Sequence, residues 1–200
     1  MNYPYIHLKT QSSYSLAEST LKIKKLINLA KINKMPAIAL TDNNNMFGAL
    51  EFAIECVDNG IQPIIGSTIN YLDIEDKDNF AQLNFLVKNA EGYKNLLYLS
   101  SLSHTGDYKN VGITFKDLEK HHSGLICFIG GEFNPLLILK LQNKISKIDD
   151  FIKNFKNIFN EDLLFEIQRI NIDKVDEFED ELILQANKYQ IPVICPSGFD

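Results

Sequence analysis

Asp42-Asn43-Asn44-Asn45 sets one carboxylate beside three amides, directly after the short apolar run Ala37–Leu40. In α/β folds the loop after a strand's C-terminal end is where chemistry usually sits, so this loop is the first candidate site. Asp42 and Glu18 are the carboxylates that the sequence best places to reach a strand-end cleft, as acid–base groups or as metal ligands. Asp before an Asn run suits turn or helix capping equally well. The histidines His7, His104, His121 and His122 include no pair with the HxH or HExxH spacing of a metal site. A lone strand histidine such as His7 is ordinarily packed and hydrogen-bonded, and His121-His122 reads as a solvated helix end, where positive charge is mildly favoured. The sequence holds no nucleophile elbow, no Walker loop and no dinucleotide fingerprint, and Gly130-Gly131 alone carries little. Residue types by themselves assemble no complete active site.

The elements that must position this loop read as strand, loop, helix, strand. Ala37–Leu40 is a buried-strand run after Pro36. Ala49, Leu50, Ala53, Ile54 and Val57 then recur at helical spacing, opposite Glu51, Glu55 and Asp58. Gly60 stops that helix as a left-handed cap, and Gln62–Ile65 starts the next strand. Such a βαβ crossover implies parallel strands. Upstream, Tyr5–Lys9 reads as a first strand, and Ser19 or Thr20 as the cap of a helix striped by Ile23, Leu26, Ile27 and Ala30. Downstream, Ser67–Tyr71 is followed by a charged loop over Asp73–Asp78, and Leu83–Val87 is a buried strand. A helix over Glu91–Ser103 offers Tyr93, Leu96, Leu97 and Leu102 to the core. Thr114-Phe115-Lys116-Asp117 is a capping box, and Leu125–Phe128 another strand. Ile148, Phe151, Ile152, Phe155 and Phe159 stripe a helix before the strand Leu163–Ile167. Val175, Phe178, Leu182 and Ala186 stripe an acidic helix before a last strand, Pro192–Cys195. Roughly seven strands alternate with helices, which points to an α/β fold, a (β/α) barrel of seven or eight units in preference to a doubly wound sheet, lacking its closing elements.

Composition narrows the partners. A net charge of −6, a pI near 5.2 and the single arginine Arg169 argue against a broad nucleic-acid face. Cys56, Cys127 and Cys195 lie far apart in apolar patterns, as reduced thiols do, so a cytoplasmic location is expected. No stretch suits a signal peptide or a membrane span.

Several stretches taken together resemble the polymerase-and-histidinol-phosphatase (PHP) domain, in the form that opens bacterial replicative polymerase alpha subunits. They are His7–Leu16 (HLKTQSSYSL), Pro36–Gly48 (PAIALTDNNNMFG), Gly60–Gly66 (GIQPIIG), Leu86–Leu97 (LVKNAEGYKNLL) and Ser123–Gly130 (SGLICFIG). Phe165-Glu166-Ile167-Gln168 and Ile191-Pro192-Val193 also fit, so the resemblance runs the length of the chain as one domain over 1–200. It implies a (β/α)7, TIM-like barrel with a strand-end cleft that holds a trinuclear metal cluster where the site is intact. At those positions this chain has Lys9 and Gln11 for two histidines, with His7 matching a non-ligand histidine, and Glu18 for an aspartate. Asp42 remains, but Asn43, Thr68, Gln82 and Gly131 stand for a histidine, a glutamate, a histidine and a cysteine. A further histidine falls near Arg169 or Ile170, and the terminal Asp-x-His near Gly198 and Asp200. Ammonium and amide groups are poor metal ligands and glycine offers none, so the expectation is a vestigial cleft with no metal and no catalytic residue in this segment. Lys9 is then expected to replace the lost positive charge by pairing with Glu18 or Asp42.

The resemblance further implies a DNA-directed DNA polymerase whose catalytic aspartates and Mg2+ lie outside these residues. The segment would be a structural module against the remaining polymerase domains, meeting DNA only through them. It would also dock a separate proofreading 3′–5′ exonuclease, with the acidic helix around Asp176–Glu181 or the lysine-decorated helix over 20–34 as candidate surfaces. The rival readings are a metal-dependent phosphoesterase, pyrophosphatase or 3′–5′ exonuclease with a remodelled site, and a stand-alone binding module.

Overall fold

The computed structural model describes residues 5–16, 18–76, 79–106, 110–168 and 178–195. The strands β1 (Ala37–Leu40), β2 (Gln62–Asp76), β3 (Asn79–Val87), β4 (Leu125–Gly130), β5 (Leu163–Glu166) and β6 (Val193–Ile194) form one sheet in sequence order. The helices are α1 (Ile23–Ile32), α2 (Ala49–Asp58), α3 (Ala90–Thr105), α4 (Phe115–His121), α5 (Pro135–Leu141), α6 (Ile145–Phe159) and α7 (Glu179–Tyr189).

The βαβ reading holds: β1 pairs β2 in parallel, Leu40 opposite Ile65, with α2 as the crossover and Gly60 at φ +70° ending it. Beyond it the regular parallel alternation fails. Gln62–Ile65, Ser67–Tyr71 and most of the expected charged loop form the single strand β2, which turns into an antiparallel hairpin with β3. β3 also meets β4 antiparallel, and parallel pairing returns at β4–β5 and β5–β6. Alternating polar and apolar residues in Thr68–Tyr71 and Ala81–Phe85 are the signature of such a pair, one face wet and one packed. Lys77 and Asp78, the end of the expected loop, lie outside the described residues.

Tyr5–Lys9 forms no regular strand. It runs beside β1 instead, its neighbourhood pinned by Ala39 N–H donating to the His7 carbonyl (2.8 Å) and Thr41 N–H to the Thr10 carbonyl (2.7 Å). α1 buries Ile23, Leu26, Ile27 and Ala30, but its N-cap is Lys22 rather than Ser19 or Thr20. The Ser19 hydroxyl donates to the Gln11 carbonyl and accepts from Leu21 N–H, so it closes the loop before the helix. α2 is turned away from the expected orientation. It buries Ala49, Phe52 and Cys56, and leaves Leu50, Ile54 and Val57 outside. Phe52 decides this: a whole aromatic ring at 0% exposure outweighs the smaller aliphatic residues. In α3, Leu96 and Leu99 are buried, whereas Tyr93 and Leu97 are exposed. α5 has no counterpart in the reading above, although Asn134, which accepts from Leu136 N–H, and Pro135 at the first turn are ordinary start signals.

The Thr114–Asp117 capping box forms as expected. The stripe of α6 is buried throughout, and Tyr71, Phe151, Phe155 and Phe159 form a chain of ring contacts beneath the sheet. Phe178, Leu182 and Ala186 of the acidic helix are buried, and Glu181 pairs with Lys140; Val175 and Asp176 lie outside the described residues. The result is a TIM-like α/β arrangement, with a main core against β2–β5 and a smaller one under α1, α2 and β1.

Candidate functional site

A cavity of about 310 Å³ opens where the C-terminal ends of β1, β4 and β5 meet the middle of the β2–β3 hairpin. Lys9, Gln11, Glu18, Asn43, Thr68 and Gln82 all line it, so six of the residues read from the sequence as one cleft converge in space. Asp42 and Gly131 are chain neighbours of the lining residues Asn43 and Gly130 and are not themselves among the residues that line the cavity. His7 does not line it either: its ring packs edge-on against Tyr5, 4.8 Å away, and burial lowers its pKa below the ordinary histidine value. Arg169, Ile170, Gly198 and Asp200 lie outside the described residues.

Lys9 does not pair with Glu18 or Asp42. Its ammonium lies 3.2 Å from Oε1 and 3.4 Å from Oε2 of Glu166, whose carboxylate is 1% exposed at the end of β5. Neighbouring Gly130 and Gly131 make room for this pair. A Cβ on Gly130 would fall 2.1 Å from the Glu166 carbonyl, and one on Gly131 (φ +75°) 3.4 Å from the Lys9 nitrogen. Sequence reasoning missed Glu166, together with Asn84, Glu132 and Gln168 on the cavity wall. Glu166 and Gln168 lie in the stretch Phe165–Gln168 that fits the family, and the carboxylate that closes an otherwise apolar strand was a second signal for Glu166.

Asp42, 1% exposed, is a clamp. Its Oδ1 accepts from Ser12 N–H and from the Ser15 hydroxyl, and its Oδ2 from the Ser12 hydroxyl, each at 2.7 Å. These bonds tie the loop after Lys9 to the end of β1. In front of the clamp, Gln11 donates to Oδ1 of Asn43 (3.0 Å) and to Glu18, and the Asn43 amide donates to Glu18 as well. On the hairpin wall the Thr68 hydroxyl donates to Asn84 Oδ1 (3.3 Å) and Gln82 to Asn70 Oδ1 (3.3 Å). The amide nitrogen of Asn84 is buried without a partner.

This donor set does not fit a metal cluster. An ammonium pairs with the one buried carboxylate among the lining residues and repels any cation, and amides and hydroxyls make up most of the remaining wall. Among the described residues, no group of three or more His, Cys, Asp or Glu could hold a metal ion. The network holds the loops together by charge and hydrogen bonds.

The chain matches the PHP domain family model over residues 7–170. It is 39% identical over 200 residues to the DNA polymerase III subunit alpha of Rickettsia bellii, covering 98% of this chain and 17% of that protein. It is 37% identical over 203 residues to the subunit of the same name in Borreliella burgdorferi, covering 94% and 17%. The chain thus spans about one-sixth of the length of the curated relatives it matches. Among solved structures, an amidohydrolase from Chromobacterium violaceum superposes with a TM-score of 0.56 at 13% identity, covering 97% of this chain and 87% of that one. A Bifidobacterium adolescentis protein assigned as a metal-dependent phosphoesterase superposes at 0.61 and 11%, covering 97% and 85%. These two likenesses concern the fold. The family match covers both the clamp of Asp42 and the Lys9–Glu166 pair, and by it the chain belongs to the PHP domain family.

Proposed function

We propose that the chain is the PHP region of a replicative DNA polymerase III alpha subunit and serves there as a structural module without hydrolytic activity of its own. The observation that carries this reading is the match to such subunits at 39% identity along 98% of the chain. The ammonium within the cleft supports the second half, since it stands where a hydrolase of this fold would need cations. Template-directed nucleotidyl transfer, with its aspartates and Mg2+, then belongs to the rest of the polymerase, which supplies the contact with DNA. The module supports those domains and docks a separate proofreading 3′–5′ exonuclease in the cytoplasm. Among the described residues no helix is long and apolar enough to cross a membrane. A phosphoesterase reading has only the likeness of fold behind it.

The size of the native gene product, detected with an antibody against this segment, tests the proposal. A band several times larger than 22.8 kDa that co-purifies with nucleotide incorporation and retains an exonuclease is expected. A band at 22.8 kDa overturns it and makes metal-dependent phosphoesterase assays the next step.

A further inference from the structure

α2 is apolar on two sides. Its inward face buries Ala49, Phe52 and Cys56. Its outward face carries Leu50 at 70%, Ile54 at 52% and Val57 at 67% exposure, and Phe47 one turn earlier at 73%. Positions 50, 54 and 57 fall on one side of a helix, so these chains form a continuous stripe. A helix of a soluble protein with apolar residues on both sides is ordinarily covered on both.

The stripe is held firmly in place. Phe47 N–H donates to Oδ1 of Asn45, whose amide nitrogen in turn donates to the carbonyls of Tyr14 (3.1 Å) and Asn43 (2.8 Å). Its margin is acidic. Glu51 and Asp58 are exposed, Glu51 accepts from the Tyr14 hydroxyl at 3.3 Å, and Glu55 pairs with Lys24 at 3.4 Å.

We infer that Phe47, Leu50, Ile54 and Val57 form a docking surface for another part of the same polymerase chain, an apolar patch edged by basic side chains. The inference rests on the polymerase reading above. Two observations choose this occupant. A second copy would set one acidic margin against another, which like-charge repulsion opposes. The aligned segment accounts for only 17% of a relative's length, so most of such a polypeptide is tethered close by at high effective concentration.

The test uses the full-length native protein with a photoreactive benzoylphenylalanine at Val57, and a control at Leu184, which is 68% exposed on α7. Cross-linked peptides are mapped by mass spectrometry in a mixture of isotopically light and heavy protein. The expected product is an intrachain link from position 57 to an apolar, Lys- or Arg-containing peptide beyond residue 200. Its yield should fall several-fold in a Glu51→Lys/Asp58→Lys variant. Light–heavy links, links to a separate subunit, or a pattern no different from the Leu184 control would overturn the inference, and an unchanged yield in the charge-reversed variant would overturn the basic edge. The intact mass of the same sample keeps the two readings apart. A 22.8 kDa product removes the polymerase reading, whereas a large product without the link removes only this surface.

Discussion

Asp42 and Glu166 are each 1% exposed, one just beyond the end of β1 and one closing β5 of the same sheet, and each is stabilised by a different device. Asp42 is solvated by the protein: one backbone N–H and two serine hydroxyls replace its water, with no cation among them. Glu166 is neutralised by a lysine reaching in from a distant stretch of chain. The first device depends on many short dipoles held by local backbone, and the second on one long side chain and a counter-charge. The difference shows two ways in which a buried carboxylate at a strand end is balanced by protein groups alone.

Breaking the clamp should cost most. Asp42→Ala strands three buried donors, and a loss of about 4 kcal/mol in urea unfolding is expected from the usual cost of unsatisfied donors. Asp42→Asn, which keeps the shape and one acceptor, should lose about 1 to 2 kcal/mol. A smaller loss for the alanine than for the asparagine variant would end the clamp interpretation.

Lys9→Met removes the counter-charge and leaves the buried carboxylate, for an expected loss of about 3 kcal/mol, at the low end for a buried pair because the lysine is 20% exposed. Adding Glu166→Gln to that variant should recover half or more of the loss in the same unfolding experiment. As a benchmark, Lys188→Met breaks the exposed, solvent-screened pair with Asp149 and should cost far less than Lys9→Met. If Lys9→Met costs no more than this benchmark, the two devices are not energetically distinct.

His7 sharpens the contrast on a finer scale, because burial is the only cause acting on its ring. Its folded-state pKa lies below the ordinary 6.5, so near that pH the unfolded chain binds more protons than the folded one. Stability should therefore fall as pH drops through 6.5, and His7→Gln should flatten that part of the curve measured by thermal melts. A wild-type profile already flat there would contradict it. The smallest effect concerns metals. Dialysis against a strong chelator should leave the melting temperature unchanged, since Lys9 already supplies the charge in the cleft. A drop of several degrees, restored by a divalent cation, would show that the ammonium does not suffice.

Much of the fold was legible before any coordinates. The stripe of α6, the buried side of α1, the Thr114 capping box and the β1–α2–β2 crossover follow from period, cap chemistry and turn residues, all local signals. The convergence of Lys9, Gln11, Glu18, Asn43, Thr68 and Gln82 was legible as well, but through resemblance to a family and not through any spacing of their own. Local signals failed where partners lie far apart in sequence. β2 and β3 carry the alternation of an antiparallel hairpin, yet the acids over Asp73–Asp76 read as a loop. In α2 two apolar stripes compete on one helix, and only the large Phe52 ring packing under β1 settles which of them is inside.

The sequence by itself determined the helices other than α5 and the strand-end loop of Asp42, because each is written in neighbouring residues, and resemblance to a family added the loss of metal-ligating residue types. Tertiary structure alone decided that Lys9 meets Glu166, 157 positions away, and that Leu50, Ile54 and Val57 face outward. Partner choice for a long charged side chain depends on which strand ends the sheet brings together. The orientation of a doubly apolar helix depends on the shape of the space beneath it. Neither quantity exists until the chain has closed on itself.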